Sequence, residues 1–220
     1  MTALEAFKQA EEALKSPLDV APLPERRWWR WWQVAVAVGG FAVLLPVSVL
    51  IALAIKLTSR GPILYRGTRI GRGLAPFTIY KFRTLLLDAE QRIGARLVTP
   101  GDPLYTPVGR FLRRYKLDEI PQLLNVMRGD MNMVGPRPVR PVFLATSLRD
   151  IPNYTERFRI RPGMTGLAQL RGGYFTHPRD KLRYDLLYIR RRSFALDLRL
   201  IALSFWITLR GTWERRGSKF

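Results

Sequence analysis

The apolar positions of this chain follow three patterns. The longest is Val34–Ile55, 22 positions without a charge, which as helix is about 33 Å, enough to cross a bilayer core. The second is helical periodicity: Val108, Phe111, Leu112 and Tyr115 share one face after Thr106-Pro107, and Ile120, Leu123, Leu124 and Met127 follow the i, i+3, i+4, i+7 spacing up to Gly129. In that second helix Asp118 is expected as N-cap, Glu119 as first residue and Pro121 within the first turn. The third is short and strand-like, Ile63–Tyr65 and Phe77–Phe82, with Gly71, Gly73 and Pro76 between. Near the N-terminus a short amphipathic helix is expected over Ala3–Lys15, with a linker carrying Pro17, Pro22 and Pro24. The tail from Lys181 to Trp213 is helical in character, and its Arg190–Arg192, Trp206 and Trp213 suit helices lying on a membrane surface. The pattern therefore predicts an α+β, predominantly helical fold in three parts: residues 1–27, a membrane segment over 28–57, and a domain over 58–220.

Charge changes how the long segment reads. The chain has 37 Lys+Arg against 17 Asp+Glu, a formal charge of +20, and no acidic residue between Arg26 and Leu87, where ten Lys and Arg fall. Such a surface meets something polyanionic: nucleic acid, anionic lipid or phosphorylated substrate. Trp28, Trp29, Trp31 and Trp32 interleave with Arg26, Arg27 and Arg30, which is membrane-interface chemistry. Lys56, Arg60, Arg66, Arg69 and Arg72 follow the run, so the positive-inside rule draws both ends to the same side. Pro46 in mid-run predicts a kink near Ala42–Pro46, with the Ser48 hydroxyl nearby to bond a freed carbonyl. A helix that dips in and returns fits both features; proline-kinked spans exist as well, so physics alone leaves topology open. A nucleic-acid-binding reading rests on charge alone, and a non-catalytic membrane scaffold is opposed by the intact Asp118, Glu119 and Arg137. The first calls for a motif such as a helix-turn-helix, which is not found, and leaves Val34–Ile55 unexplained.

The chemistry available is narrow. With no cysteine, thiolate chemistry and disulfides are excluded, and His177 is the lone histidine, in a loop-like Thr-His-Pro stretch. Carboxylates remain. Asp118-Glu119 reads first as a helix cap. Its neighbours add a second reading: Arg110, Arg113, Arg114 and Lys116 precede it, and Arg128 and Arg137 follow. Adjacent carboxylates ringed by cations suit Mg²⁺ and a diphosphate, with one carboxylate as nucleophile on phosphorus.

Five stretches occur in order: 77–84 (FTIYKFRT), 116–126 (KLDEIPQLLNV), 128–131 (RGDM), 134–138 (VGPRP) and 161–169 (RPGMTGLAQ). Together they closely resemble the bacterial sugar transferase family, the monotopic polyprenyl-phosphate phosphoglycosyl transferases, from about Trp32 to about Leu203. The resemblance implies a re-entrant helix in the bacterial inner membrane and a catalytic domain on the cytoplasmic face. It implies a Mg²⁺-dependent ping-pong reaction with a UDP-sugar as donor and undecaprenyl phosphate as acceptor. By motif, Asp118 is the nucleophile and Glu119 a Mg²⁺ ligand. Lys81, Arg83, Arg113 and Arg137, with Pro136 and Pro138 beside it, hold phosphates or nucleotide, and Asp197 supports the site. Anionic membrane lipids are the expected surroundings, nucleic acid is not an expected partner, and a homodimer is left open. The chain departs from the family pattern at Leu85 (commonly Met) and Leu167 (commonly Trp), neither of which touches the chemistry, and at Arg171-Gly172-Gly173, which replaces an Asn-Gly-Arg-like stretch and leaves the sugar-recognition loop undefined. It resembles the minimal form, without additional spanning helices.

Overall fold

A computed structural model describes residues 20–93, 96, 98, 99, 101–172, 176–211 and 213, together with Glu5, Lys8 and Gln9. The helix expected over Ala3–Lys15 lies, apart from those three positions, outside the described residues.

Helix α1 (Arg27–Thr58) takes in the whole apolar run. Pro46 lies inside it, and the Ser48 hydroxyl donates to the Leu44 carbonyl (2.8 Å). That is not the Ala42 carbonyl, which loses its amide donor to Pro46; the serine makes the ordinary bond four residues back. One stripe of α1 packs on the rest of the protein: Gln33, Ala37, Ile51 and Ile55 are buried, with Phe41 and Leu44 beside them. The other faces stay bare, Val43 being 77% and Leu57 84% exposed. A helix this apolar and this uncovered needs lipid around it.

Both ends of α1 are tied to the same body. Arg30 donates to the carbonyls of Val126, Met127 (3.2 Å) and Met131 (3.3 Å), and the Met133 amide donates to Gln33 Oε1 (2.6 Å). At the far end Arg83 donates to the Ser59 carbonyl (2.9 Å), Ser59 Oγ (2.6 Å) and the Arg60 carbonyl (2.5 Å). Arg83 thus satisfies acceptors just past a helix terminus, where backbone carbonyls lack partners.

Strands β1 (Leu64–Ile70) and β2 (Pro76–Phe82) form an antiparallel hairpin in the register Tyr65↔Lys81 and Thr68↔Thr78. β1 runs five residues past its expected end, because pairing with β2 carries it through Arg66, Gly67 and Arg69, where the apolar pattern had stopped. After α2 (Ala89–Ile93), α3 (Pro107–Arg114) starts where expected, with the Thr106 side chain accepting from the Gly109 amide (2.9 Å). A 3₁₀ turn over Leu117–Glu119 then leads into α4 (Gln122–Arg128), ended by Gly129 at φ 98°. Asp118 is therefore not a helix N-cap. Pro121 holds that place, and Asp118 and Glu119 sit in the preceding turn with their side chains turned inward and buried.

β3 (Asn132–Val134) pairs in parallel with β4 (Gly163–Thr165), while α5 (Leu144–Asp150) lies between them in the chain. Then come α6 (Leu167–Gly172), α7 (Pro178–Arg191) and α8 (Phe194–Arg210). α8 buries Asp197, Leu200 and Ile207 and exposes Leu198, Phe205, Trp206 and Leu209, the amphipathic surface helix expected of the tail. The fold is α+β and predominantly helical. The core nearest the site joins Ile79, Phe82, Leu112, Leu123, Val126 and Met131 with Ala37, Ile51 and Ile55 of α1. The membrane helix is thus part of the domain's own core.

Thr106→Ala removes the α3 cap and leaves the Gly109 amide unbonded. Chemical denaturation in detergent should show a loss of about 1 kcal/mol, with Thr106→Ser near wild type; an unchanged midpoint in Thr106→Ala would contradict this role.

Candidate active site

Three cations from three separate segments meet at one carboxylate oxygen. Glu119 Oε1 lies 2.8 Å from Lys81 Nζ, 2.8 Å from an Arg137 guanidinium nitrogen and 3.5 Å from Lys116 Nζ. Lys81 comes from β2. Arg137 comes from the loop after β3, which is closed by Gly135 N–H to the Thr165 carbonyl and Gly163 N–H to the Pro136 carbonyl, both 2.9 Å. Strand and loop touch so closely that a Cβ on Gly163 would lie 2.0 Å from the Gly135 nitrogen, so no larger residue fits there. Lys116 adopts left-handed backbone (φ 56°, ψ 18°) between α3 and the 3₁₀ turn. That reversal costs about 1 kcal/mol for a residue with a Cβ and turns Lys116 back onto the pair that follows it.

These charges set the protonation states. Burial alone would raise the Glu119 pKa, but Arg137, Lys116 and Lys81 outweigh it and hold the carboxyl well below the usual carboxylate range. Burial pushes Lys116 down to about 8 against the pull of Glu119, and Arg137 and Arg113 push the same way. Glu119 is an ionised anchor held by three cations at Oε1.

Asp118 is different. Its side chain is 2% exposed, Oδ2 stands 3.6 Å from Lys81 Nζ, and Oδ1 is buried without a hydrogen-bond partner. A buried unpartnered carboxylate oxygen costs free energy, and active sites are where such cost is tolerated. Asp118 lines a cavity of about 1310 Å³. Lys81, Arg83, Arg113, Arg137, Pro138 and Ser48 line it too.

Not every expected residue reaches this cavity. Asp197 is fully buried on the inner face of α8, its Oδ1 2.7 Å from the Tyr188 hydroxyl, which also lies 3.2 Å from the Val134 carbonyl. Burial pushes Asp197 up to about 7. It supports the root of the 134–138 loop and does not line the cavity. Pro136 lies in that loop behind Arg137, and Pro46 is on an exposed face of α1. Arg83 borders the cavity, yet the hydrogen bonds of its guanidinium go to Ser59 and Arg60, making it a helix clamp.

Several wall residues were not singled out from the sequence. Gln122 Nε2 and Gln169 Oε1 are buried without partners and belong to the lining. Trp213 is part of the lining, with Lys116 Nζ 5.5 Å from its ring centroid, and Arg157 and Lys181 belong to it as well. Gln122 adjoins the acidic pair in sequence, a usable signal; Trp213 and Arg157 arrive from distant segments and carried none.

The family model described as bacterial sugar transferase matches residues 25–211, nearly the whole described chain. The chain belongs to the bacterial sugar transferase family. Among similar proteins, the UDP-glucose:undecaprenyl-phosphate glucose-1-phosphate transferase of Caulobacter vibrioides is 46% identical over 165 residues, covering 73% of this chain and 61% of that protein. The UDP-N-acetylgalactosamine-undecaprenyl-phosphate N-acetylgalactosaminephosphotransferase of Aeromonas hydrophila is 37% identical over 78% of this chain and 41% of its own length. An exopolysaccharide production protein of Rhizobium leguminosarum is 38% identical over 78% of this chain and 90% of its own. This sugar transferase thus spans less than two thirds of the first two relatives and most of the third.

The donor set suits a Mg²⁺ ion shared with a diphosphate. Among the described residues no group of three or more His, Cys, Asp or Glu forms a protein-only metal cage. Mg²⁺ is commonly held by one or two carboxylates plus substrate phosphates and water. The unpartnered Asp118 Oδ1, and Glu119, whose contacts with cations all fall on Oε1, match that arrangement.

Glu119→Gln should lower unfolding free energy at neutral pH by about 3 kcal/mol, since it strands three cations around a buried neutral group. The folded pKa is depressed, so this stabilisation is complete above the unfolded value of about 4.3 and is lost as pH falls through the folded one. Denaturation from pH 7 downward should show wild type converging on the variant below about pH 4; a gap that persists would overturn the assignment.

Proposed function

We propose that this sugar transferase moves a sugar 1-phosphate from a UDP-sugar to undecaprenyl phosphate, with Asp118 as the nucleophile. The observation that carries the reading is the contrast within the acidic pair: Glu119 is pinned by three cations, while Asp118 has a buried oxygen with no partner on the cavity wall. An Asp118 oxygen attacks the β-phosphorus, the bond from that phosphorus to the bridging oxygen breaks, and UMP leaves with the electron pair. A phosphate oxygen of undecaprenyl phosphate then attacks the same phosphorus. The acyl–phosphate bond breaks, the Asp118 carboxylate returns, and undecaprenyl diphospho-sugar forms. Lys81 and Arg137 face the transferred phosphoryl group and, with Arg113, neutralise charge that develops on its oxygens. Mg²⁺, held by Asp118 and Glu119, would when bound add charge neutralisation on the diphosphate. Names of relatives that act on undecaprenyl phosphate with UDP-glucose or UDP-N-acetylgalactosamine support the substrate class.

The acceptor is a lipid, and α1 suits it. Arg30 at one end and Arg83 at the other bind α1 to a single domain. A spanning helix would place those ends on opposite sides of about 30 Å of hydrocarbon, which one water-facing domain does not reach. With a bend at Pro46 the helix enters and leaves on one face, and the basic residues at both flanks make that face cytoplasmic, at the inner membrane. The exposed apolar side of α8 rests in the same interface.

With UDP-sugar and Mg²⁺ but no acceptor, wild type should release about one equivalent of UMP per active site and stop. Asp118→Asn should release none and lose turnover by a factor on the order of 10⁴ or more; wild-type turnover in that variant would exclude Asp118. For topology, the chain has no native cysteine, so Arg27→Cys and Arg60→Cys each report one end of α1. Neither should react with an impermeant thiol reagent added outside intact cells, and both should react in inverted vesicles. Labelling of one end from outside would establish a span.

A further inference from the structure

The loop that delivers Arg137 is gripped from behind. Tyr188 reaches the Val134 carbonyl, Gly163 N–H bonds the Pro136 carbonyl, and an Arg157 guanidinium nitrogen donates to the Arg137 carbonyl itself (2.9 Å). The same Arg157 nitrogen stands 2.9 Å from Asp185 Oδ2, an ion-pair contact in which that oxygen accepts no hydrogen bond, and its other terminal nitrogen donates to the Tyr154 hydroxyl (2.5 Å). The Arg157 and Asp185 side chains are 8% and 2% exposed. Arg157 forms part of the cavity wall; Asp185 stands behind it and is not part of the lining. A forked guanidinium meets a carboxylate, a carbonyl and a hydroxyl at once, which an ammonium does not do in fixed geometry. Burial pushes Asp185 up to about 6 against the opposing pull of Arg157 and Lys181, so it is mostly ionised at neutral pH.

We propose that Asp185 and Arg157 are a positioning pair for Arg137: Asp185 orients Arg157, and Arg157 holds the Arg137 backbone so that its guanidinium stays on Glu119 and at the phosphate. The pair has no contact with Asp118 or Glu119 of its own and acts through Arg137 alone. This rests on the phosphoryl-transfer reading above, in which Arg137 neutralises charge in the transition state. It differs from an Arg157 that binds donor directly, because Asp185 then adds nothing to the chemical step.

The test uses the full chain in detergent or nanodiscs, with UMP release as readout. Asp185→Asn keeps shape and removes the charge. Because one stranded partner of a buried pair can unfold a protein, Arg157→Met combined with Asp185→Leu removes both charges together, a change that folds tolerate well. Both should lower kcat about tenfold, leave KM for the UDP-sugar within about twofold, and cost nothing further when Arg137→Ala is already present, since coupled residues are non-additive. An equal loss in the Arg137→Ala background, a change confined to KM, or wild-type kcat in the folded double variant would each overturn the proposal. Amide exchange gives a readout free of activity: Gly135 and Gly163, which close the loop, should exchange faster in both variants, and unchanged protection counts against the pair. If wild type itself released no UMP, the proposed function would fall while the exchange result still judged the pair.

Discussion

Burying a carboxylate is unfavourable unless charge comes to meet it, and here that requirement organises the protein around Glu119. The three cations that reach Oε1 belong to β2, to the hinge before the acidic pair, and to the loop after β3. Lys81 and Arg137 lie 38 and 18 residues from Glu119 along the chain. No local rule brings them together; the hairpin, the 3₁₀ turn and the β3–β4 pair must all be in register first. The desolvation cost of Glu119 is offset only in the finished fold, so this one oxygen acts as the check on whether the site is assembled.

Two neighbouring acidic residues thereby acquire opposite characters. Glu119 is pinned at one oxygen and held well below the ordinary carboxylate range, while Asp118, one residue earlier, belongs to the cavity lining and has a buried oxygen without a hydrogen-bond partner. The left-handed Lys116 and the 3₁₀ turn cause this split by turning both side chains inward. Had the pair capped a regular helix, the Asp118 oxygens would have been taken by backbone amides and lost to chemistry.

The membrane segment and the reaction centre belong to one packing unit. Ala37, Ile51 and Ile55 of α1 pack among the side chains that support the site, and Ser48 and Val49 share its cavity wall. The lipid-borne acceptor proposed above would therefore reach the cavity along the same packing unit. Arg83 shows how such a unit redirects a motif residue: its cation sits beside the cavity, yet its bonds go to the carbonyls that follow α1. A phosphate-binding assignment by motif did not foresee this, because the end of α1 lies over twenty residues upstream of Arg83.

What the sequence determined by itself is what depends on local chemistry. An uncharged 22-residue run, tryptophans among arginines, a Thr-Pro helix start and a glycine stop each act over a few residues, and the structure has them where expected. The ordered motifs also identified the family. Only the tertiary structure decided what each charged residue does, since electrostatic partners here are set by distance in space and by burial. It removed Asp118 from the cap position, assigned Arg83 to helix α1, and placed Asp197 behind the loop instead of in the cavity. It also brought in Arg157 and Trp213, which no nearby residue marked as belonging to the site. Spacing along the chain says which side chains share a face; the long-range pairing of hairpin, turn and loop selected which cations meet at the acidic pair.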